Sequence, residues 1–156
     1  MSIQRLSIAA LAFGILTMGL FAADSPFAGT WKLNAGKSKL EGSGVGQSGT
    51  VQNEVNGNAL KATVQATDPQ GQPLNFSYQA TLDGKPGIVT GNPNLDTVSI
   101  RSVNDHTLTA GGKKAGKVVF NDRRVVSKDG KTMTINRNGT DPNGKKFHAV
   151  LVFEKQ

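Results

Sequence analysis

Residues 60–80 read LKATVQATDPQGQPLNFSYQA and contain the two clearest patterns in the chain. Apolar residues occupy every second position in 60–66 and again in 74–80, which is typical of β-strands with one buried and one solvated face. The residues between them, Asp68-Pro69-Gln70-Gly71, are of the types that tight turns require. This stretch therefore predicts a β-hairpin, in which two antiparallel strands are joined by a short turn.

The same unit, an alternating run followed by a turn signal, repeats along the chain at intervals near ten residues. No segment has the apolar period of 3.6 residues that indicates an amphipathic helix. Turn signals such as Asn56-Gly57, Asp83-Gly84 and Asp129-Gly130 separate the runs. The predicted strands are residues 27–33, 50–56, 59–67, 74–82, 87–90, 97–103, 106–111, 116–127, 131–138 and 146–154.

The connections between these strands decide the topology, because most of them are two to seven residues long. Links this short join antiparallel neighbours, whereas a parallel crossover needs a dozen residues or more. A meander of this length removes its exposed edges by closing on itself. We therefore predict an all-β fold, an antiparallel up-and-down β-barrel of about ten strands. The longest link, residues 34–48, contains four glycines and is predicted to be a mobile loop across one mouth of the barrel.

The first 23 residues have a different character from the rest of the chain. Arg5 precedes the uncharged stretch 6–21, and small residues follow it, which is the pattern of a secretory signal. The stretch is short for a membrane span, which needs about 20 apolar residues, although an uncleaved anchor is the alternative. We predict a signal peptide over residues 1–23 and a mature domain over 24–156, periplasmic or secreted, with no stable membrane anchor after cleavage.

The composition excludes several classes of function. The 156 residues include no cysteine, which rules out disulfide scaffolds, thiolate metal sites and cysteine nucleophiles. His106 and His148 fall on different predicted strands without evident metal partners, and no nucleophile-elbow, zincin or phosphate-loop spacing occurs. We expect no catalytic residues, no bound metal, no cofactor and no enzymatic activity. An exported chain without aromatics interleaved among its basic residues is also not expected to bind nucleic acid.

The two ends of the mature chain carry a resemblance to known proteins. Phe27-Ala-Gly-Thr-Trp-Lys-Leu33 resembles the Gly-x-Trp opening of lipocalins and the Gly-Thr-Trp-Lys-Leu opening of fatty-acid-binding proteins, and Val152-Phe-Glu-Lys155 resembles the ending of the latter. The chain is thus similar to the calycin superfamily, in particular to small secreted bacterial lipocalin-like proteins. The resemblance implies a ten-stranded barrel and structural roles for Gly29 and for Trp31, which would close one end. The carboxylate-binding Arg-x-Tyr pair of fatty-acid-binding proteins is replaced here by Leu151 and Phe153.

A candidate ligand site follows from the inward faces of the predicted strands. It includes two consecutive arginines, of which strict alternation sends one inward. An inward arginine would either capture an anionic group, pair with Asp122, or reach solvent with the help of a bulge. The predicted ligand-binding residues are Phe76, Tyr78, Arg123, Arg124, Phe147, Leu151 and Phe153.

Two functions are compatible with these observations. In the first, an exported lipocalin-like protein binds a small hydrophobic or amphipathic ligand inside a barrel too wide for its own side chains to fill. In the alternative, a filled barrel serves as a non-catalytic structural or interaction module at the cell envelope. The basic turns 113–117 and 145–146 are either solvated hairpin tips or contacts to an anionic envelope surface.

Overall fold

The computed structural model describes residues 24–156, so the predicted signal peptide over residues 1–23 lies outside the described residues. The described chain forms ten β-strands and one short 3-10 helix. The strands are β1 (Gly29–Leu33), β2 (Gly49–Asn56), β3 (Ala59–Thr67), β4 (Pro73–Thr81), β5 (Asp83–Thr90), β6 (Thr97–Asn104), β7 (Thr107–Lys114), β8 (Lys117–Val126), β9 (Thr132–Thr140) and β10 (Lys146–Lys155).

All ten strands belong to one closed antiparallel barrel, in which each strand pairs with its neighbours in the sequence. The ring is closed by β1 and β10, with Trp31 opposite Lys155 and Leu33 opposite Phe153. The prediction of a ten-stranded up-and-down barrel is therefore confirmed. Closure leaves no unpaired edge among the strands of residues 24–156, which is the physical advantage of this arrangement over an open sheet of ten strands.

The strand boundaries differ from the prediction mainly where glycines interrupt the apolar pattern. Strand β5 begins at Asp83 rather than at residue 87, and β7 continues through Gly111 and Gly112 to Lys114. Glycine has a low intrinsic preference for strands. In β7, however, the backbone of this segment is paired on one side with β6 and on the other with β8. The backbone hydrogen bonds to these two neighbours extend β7 further than the sequence of the strand alone would favour.

Because consecutive strands run in opposite directions, their connections fall alternately at the two ends of the barrel. One end, which we call the open end, carries residues 34–48, 68–72, 91–96, 115–116 and 141–145. The other, which we call the closed end, carries residues 57–58, 82, 105–106 and 127–131 together with both termini of the described chain.

Tryptophan 31 fills the closed end. Its side chain is fully buried, and its indole Nε1 donates a hydrogen bond to the carbonyl oxygen of Phe27 at 3.0 Å. The ammonium of Lys155 lies 5.2 Å from the centre of the indole ring, within the range of a cation–π interaction. Gly29 has a φ of +110°, and a Cβ at this position would lie 2.9 Å from Cε of Lys155. Both the backbone conformation and the packing therefore favour glycine at position 29.

The long connection over residues 34–48 is fastened to the rim of the open end. It contains the 3-10 helix Ala35–Lys37, where the prediction had only a loop. Lys39 then pairs with Val150 of β10, and the amide of Gly46 donates to the carbonyl of Thr67 in β3. The segment thus spans from β10 to β3 beside the mouth, and its mobility stays a prediction.

Candidate functional site

The barrel interior contains a cavity of about 860 Å³ that reaches the open end. Its mouth is formed by residues 42–45, 68–70, 91–95 and 140–143. Ligand pockets for small molecules commonly measure about 300–1,000 Å³, so the space suits one small organic molecule. Much of the wall is apolar and includes Leu33, Val51, Val64, Phe76, Met133, Ile135, Leu151 and Phe153.

Two phenyl rings near the mouth lie against glycines instead of filling the cavity. Phe120 on β8 is opposite Gly112 on β7 and Gly139 on β9, and its ring occupies the place where a Cβ on Gly112 would stand. Phe147 on β10 is likewise opposite Gly139, and a Cβ there would lie 2.5 Å from Cζ of its ring. The missing side chains let the rings lie along the wall, which keeps the interior open.

A buried ionic cluster faces the same cavity. The carboxylate of Asp122 has no exposed surface and accepts hydrogen bonds from two arginines, at 2.9 Å from Nε of Arg124 and at 2.7 Å from Nη2 of Arg137. Nη1 of Arg124 donates to the hydroxyl of Tyr78 at 2.9 Å. Tyr78 lies on β4 and Arg124 on β8, four strands away in a ring of ten, so this hydrogen bond crosses the interior.

The cluster keeps its charges despite burial. Burial by itself would raise the pKa of Asp122, but the guanidinium groups of Arg124 and Arg137 outweigh that effect and lower the pKa. Burial likewise opposes the charge of Arg124, while Asp122 raises its pKa above the ordinary value. Two guanidinium groups against one carboxylate leave one net positive charge.

This positive charge is directed toward the cavity by Arg137. Its guanidinium carbon lies 4.0 Å from the centre of the Phe120 ring, and its side chain is 15% exposed. Arginine has five N–H donors, and Arg137 uses only Nε and Nη2, both toward Asp122, within residues 24–156. Donors on Nη1 thus remain for a ligand. The arrangement can hold an anionic group beside an apolar chamber.

Alternation along β8 explains which of the two consecutive arginines faces inward. Phe120, Asp122, Arg124 and Val126 point into the barrel and are buried, whereas Arg123 lies on the outer face and is exposed. Arg123 therefore does not line the cavity, in contrast to its place in the predicted ligand set. The other six members of that set line one cavity, namely Phe76, Tyr78, Arg124, Phe147, Leu151 and Phe153.

Sequence reasoning missed Arg137, although the signal was present. Arg137 follows Met133 and Ile135 in the same alternating register of β9, and both of those residues are buried. Arg137 was not included because a charged residue at the end of an apolar run is usually exposed to solvent. Its partner Asp122 lies opposite Arg137 in the pairing of β8 with β9, which supplies the compensating charge.

Asn53 marks the boundary between the cavity and the closed end. Its side chain is 7% exposed, and Nδ2 donates to the same Phe27 carbonyl oxygen that Trp31 uses, at 3.1 Å. Its Oδ1 is buried without a hydrogen-bond partner in the described part of the chain. An unpaired buried acceptor costs about 1–3 kcal/mol, so this position is a local weakness of the closed end.

Residues 24–156 lack two features that would point to other functions. No group of three or more histidine, cysteine, aspartate or glutamate side chains comes close enough to hold a metal ion there. In the same residues, no helix has the length and apolar character needed to cross a membrane.

Comparison with known proteins gives a match in structure but not in sequence. Neither the protein-family models nor the curated proteins contain a match to the chain. Among solved structures, a Schistosoma mansoni fatty acid binding protein in complex with arachidonic acid superposes with a TM-score of 0.59 at 17% identity, over 85% of this chain and 97% of that one.

Two other solved structures are similar over nearly their whole length. The REP1-NXSQ fatty acid transporter has a TM-score of 0.56 at 14% identity and covers 83% of this chain and 95% of its own. A zebrafish ileal bile-acid-binding protein complexed with cholic acid has a TM-score of 0.53 at 12% identity, over 85% of this chain and 100% of its own. These neighbours are named for binding or transport. At this level of identity the likeness concerns the fold, and the chain has the ten-stranded barrel fold of fatty-acid-binding proteins.

Proposed function

We propose that this chain is an exported binding protein that holds a small amphipathic molecule with an anionic headgroup inside its barrel. The observation that carries the proposal is the apolar chamber of about 860 Å³ next to a buried cluster with one net positive charge. The solved structures with the same fold, which are named for fatty acids or carry cholic acid, support the hydrophobic part of the proposal.

The two parts of the ligand would be recognised by different forces. The apolar part packs against the chamber wall, where each buried methylene contributes about 0.8 kcal/mol. The anionic group accepts hydrogen bonds from Arg137, and bonds to charged groups contribute about 1.5–3 kcal/mol each. The carboxylate of Asp122 already occupies one side of both arginines, so the ligand's anion meets the remaining donors and neutralises the residual charge.

Competition for an environment-sensitive apolar dye tests this proposal. Dodecanoate, dodecanol and dodecyltrimethylammonium share one tail and differ in headgroup charge. We expect all three to compete, with dodecanoate binding about tenfold more tightly than dodecanol and the cation binding most weakly. Saturable dye binding with equal competition by the three would contradict the anionic headgroup. Absence of saturable binding to the dye or to any of the three amphiphiles would contradict the carrier function.

Arg137→Gln and Arg123→Gln form a matched pair for this assay, since each removes one arginine from a β-strand. Arg137 faces the cavity and Arg123 faces outward. We expect Arg137→Gln to remove most of the preference for dodecanoate over dodecanol and Arg123→Gln to preserve it. Circular dichroism of both variants verifies that the barrel is intact. Equal behaviour of the two variants would contradict the role of Arg137.

Export rests on the sequence of residues 1–23, with one early arginine, an uncharged stretch and small residues after it. Expression of the full chain in a bacterial host, followed by fractionation and N-terminal sequencing, tests this part. We expect the mature protein in the periplasm or medium, beginning at Ala23 or Asp24. Recovery of an intact N-terminus from the cytoplasm would contradict export without affecting the ligand proposal.

The alternative of a filled barrel does not agree with the cavity.

An envelope contact through the basic turns is a separate proposal, supported by the position of both turns at the open end. Two lysines of these turns already have an acidic neighbour, since Lys114 forms an ion pair with Asp96 at 2.8 Å and Lys145 lies 3.9 Å from Glu41. Sedimentation with anionic and neutral vesicles tests it, and equal retention on both would contradict it.

A further inference from the structure

A second concavity lies on the outside of the barrel, across β6, β7, β8 and β9. It encloses about 530 Å³ and is separated from the interior cavity by the sheet itself. Gly111 lies in the middle of its floor, where a Cβ would come within 3.0 Å of the Asn121 Oδ1. Gly111 is the only residue without a side chain among the outward-facing lining residues on β7, namely Thr109, Gly111 and Lys113.

The strand register places two arginines on either side of one threonine. Arg101 pairs with Thr109, and Thr109 pairs with Arg123, in one row across β6, β7 and β8. Neighbouring strands are about 4.8 Å apart, so the two arginine Cα atoms are separated by about 10 Å. The guanidinium of Arg101 lies over Gly84 on β5, so its side chain has to turn toward Thr109 for both arginines to contact one ligand. The same row continues to Asn136 on β9.

The positive charge of this groove is not neutralised by the surrounding residues. Among residues 24–156, no carboxylate lies within ion-pair distance of Arg101, Arg123 or Lys113, all of which line the groove. The neighbouring Asp122 turns its carboxylate into the barrel, where Arg124 holds it.

One further acid lies close in the strand register. Asp83 pairs with Arg101 across β5 and β6, but its carboxylate accepts hydrogen bonds from Thr81 at 2.6 Å and from the amide of Lys85 at 3.1 Å. It also forms an ion pair with the Lys85 ammonium at 3.3 Å. The guanidinium of Arg101 lies instead over Gly84, at the edge of the groove.

Beside the arginines, the groove presents neutral hydrogen-bonding groups in place of aromatic ones. Three asparagines line it on β8 and β9, namely Asn121, Asn136 and Asn138. The Oδ1 of Asn138 lies 2.9 Å from Nδ1 of His148 on β10, so this contact engages the oxygen of the amide and not its Nδ2. Side-chain amides both donate and accept hydrogen bonds, which suits the hydroxyl groups of a sugar.

We propose that this outer groove binds a phosphorylated sugar, with the phosphate between Arg101 and Arg123 and the sugar hydroxyls on the asparagines. Paired guanidinium groups are well suited to phosphate oxygens because each offers two parallel N–H donors. Gly111 brings the Asn121 amide close to the strand, where a sugar ring would contact it. The site is independent of the interior cavity, so its occupation does not require the proposed carrier function.

Titration of the 15N-labelled protein with glucose 6-phosphate, glucose and inorganic phosphate tests the proposal by NMR. We expect saturable shifts of backbone amides in residues 99–101, 109–113, 121–123 and 136–138 with glucose 6-phosphate. We expect at least about tenfold weaker binding for inorganic phosphate and no saturation with glucose. Equal affinity for glucose 6-phosphate and inorganic phosphate would overturn the role of the asparagines, and no saturable shifts would overturn the site.

Two double variants with the same change in net charge distinguish binding by the groove arginines from a general effect of the protein's positive charge. Arg101→Gln with Arg123→Gln removes two cations from the groove, and Lys128→Gln with Lys131→Gln removes two from a closed-end turn. We expect the first variant to lose at least tenfold in affinity for glucose 6-phosphate and the second to retain it. Equal losses would overturn the assignment. Unchanged dye binding to the interior in both variants shows that the barrel is intact and keeps the two proposals distinguishable.

Discussion

The two ends of this barrel are built from the same alternating strands, yet one is packed solid and the other is open. At the closed end the fully buried side chain of Trp31 and its hydrogen bond to Phe27 fill the space between the walls. At the open end the rings of Phe120 and Phe147 lie along the wall, over Gly112 and Gly139. The comparison shows how glycines opposite large side chains make room for aromatic rings at the wall of the open end, whereas among residues 24–156 no such glycine accommodates the indole at the closed end.

The sharpest test of this comparison removes one aromatic ring from each end. We expect Trp31→Ala to lower the free energy of unfolding by about 3–5 kcal/mol, because no neighbouring group can fill the space left by the indole. Phe147→Ala should lower it by roughly a third of that amount, since the ring borders an existing cavity. Urea denaturation measures both values. Equal losses would mean that the open end is packed as tightly as the closed end.

The ionic cluster between the two ends gives the next largest effect. Asp122→Asn leaves Arg124 and Arg137 buried without a counter-charge, and we expect a loss of about 3 kcal/mol in the free energy of unfolding. Asp105→Asn is the control, because Asp105 lies exposed in a turn of the closed end. Its unfolding midpoint should match that of the unsubstituted protein. A loss in Asp122→Asn no larger than in this control would show that the cluster is not needed to hold the centre of the barrel together.

The same cluster makes stability depend on pH in a defined direction. The pKa of Asp122 is lowered below its ordinary value of 3.8 in the folded protein, so the unfolded chain takes up its proton at higher pH. The stabilisation is therefore complete above the ordinary pKa and is lost as the pH falls toward and through the lowered value. Exposed carboxylates such as Asp83, whose pKa is lowered to about 2 by the Thr81 hydroxyl and by Lys85, act with the same sign.

Thermal unfolding between about pH 2 and pH 6 measures this dependence. We expect the melting temperature to fall below about pH 4, and to fall less steeply in Asp122→Asn, which lacks the titrating group. The slopes remaining in that variant come from the exposed carboxylates. Identical slopes in the two proteins would contradict the assignment to Asp122.

The smallest effect on stability should come from substitutions of two adjacent glycines, Gly111 and Gly112, which face opposite sides of β7. A Cβ on Gly112 would displace the Phe120 ring and approach Cδ1 of Leu95 to 2.7 Å, whereas a Cβ on Gly111 points outward. We expect Gly112→Ala to lower the free energy of unfolding by about 1–2 kcal/mol and to weaken dye binding in the interior. Gly111→Ala should leave dye binding unchanged and weaken the binding of glucose 6-phosphate outside. The reverse pattern would contradict the assignment of the two faces.

The sequence predicted the fold well because alternation and turn residues are local signals. The runs at 60–66 and 74–80 became β3 and β4, and every predicted strand has a counterpart in the barrel. It predicted less of the site. Alternation sent one of Arg123 and Arg124 inward, but the choice between them depends on the register of the whole strand, which only pairing with β7 and β9 defines.

Local reasoning reached only part of the buried ionic cluster. Pairing with Asp122 was one of the alternatives for an inward arginine, and the structure realises it with Arg124. The second arginine on the same carboxylate, Arg137, is 15 residues further along the chain. The hydrogen bond from Arg124 to Tyr78 spans 46 residues and crosses the barrel. The contact of Arg137 depends on the pairing of β8 with β9, and the contact with Tyr78 depends on closure of the ring.

The sequence by itself determined the strand type, the order of the strands and their antiparallel meander, because each of these follows from neighbours only a few residues apart. The tertiary structure decided which end is filled, which arginine faces the cavity and how large that cavity is. These properties depend on the shape of side chains that meet across the barrel, and short-range patterns carry no information about which residues will face each other there.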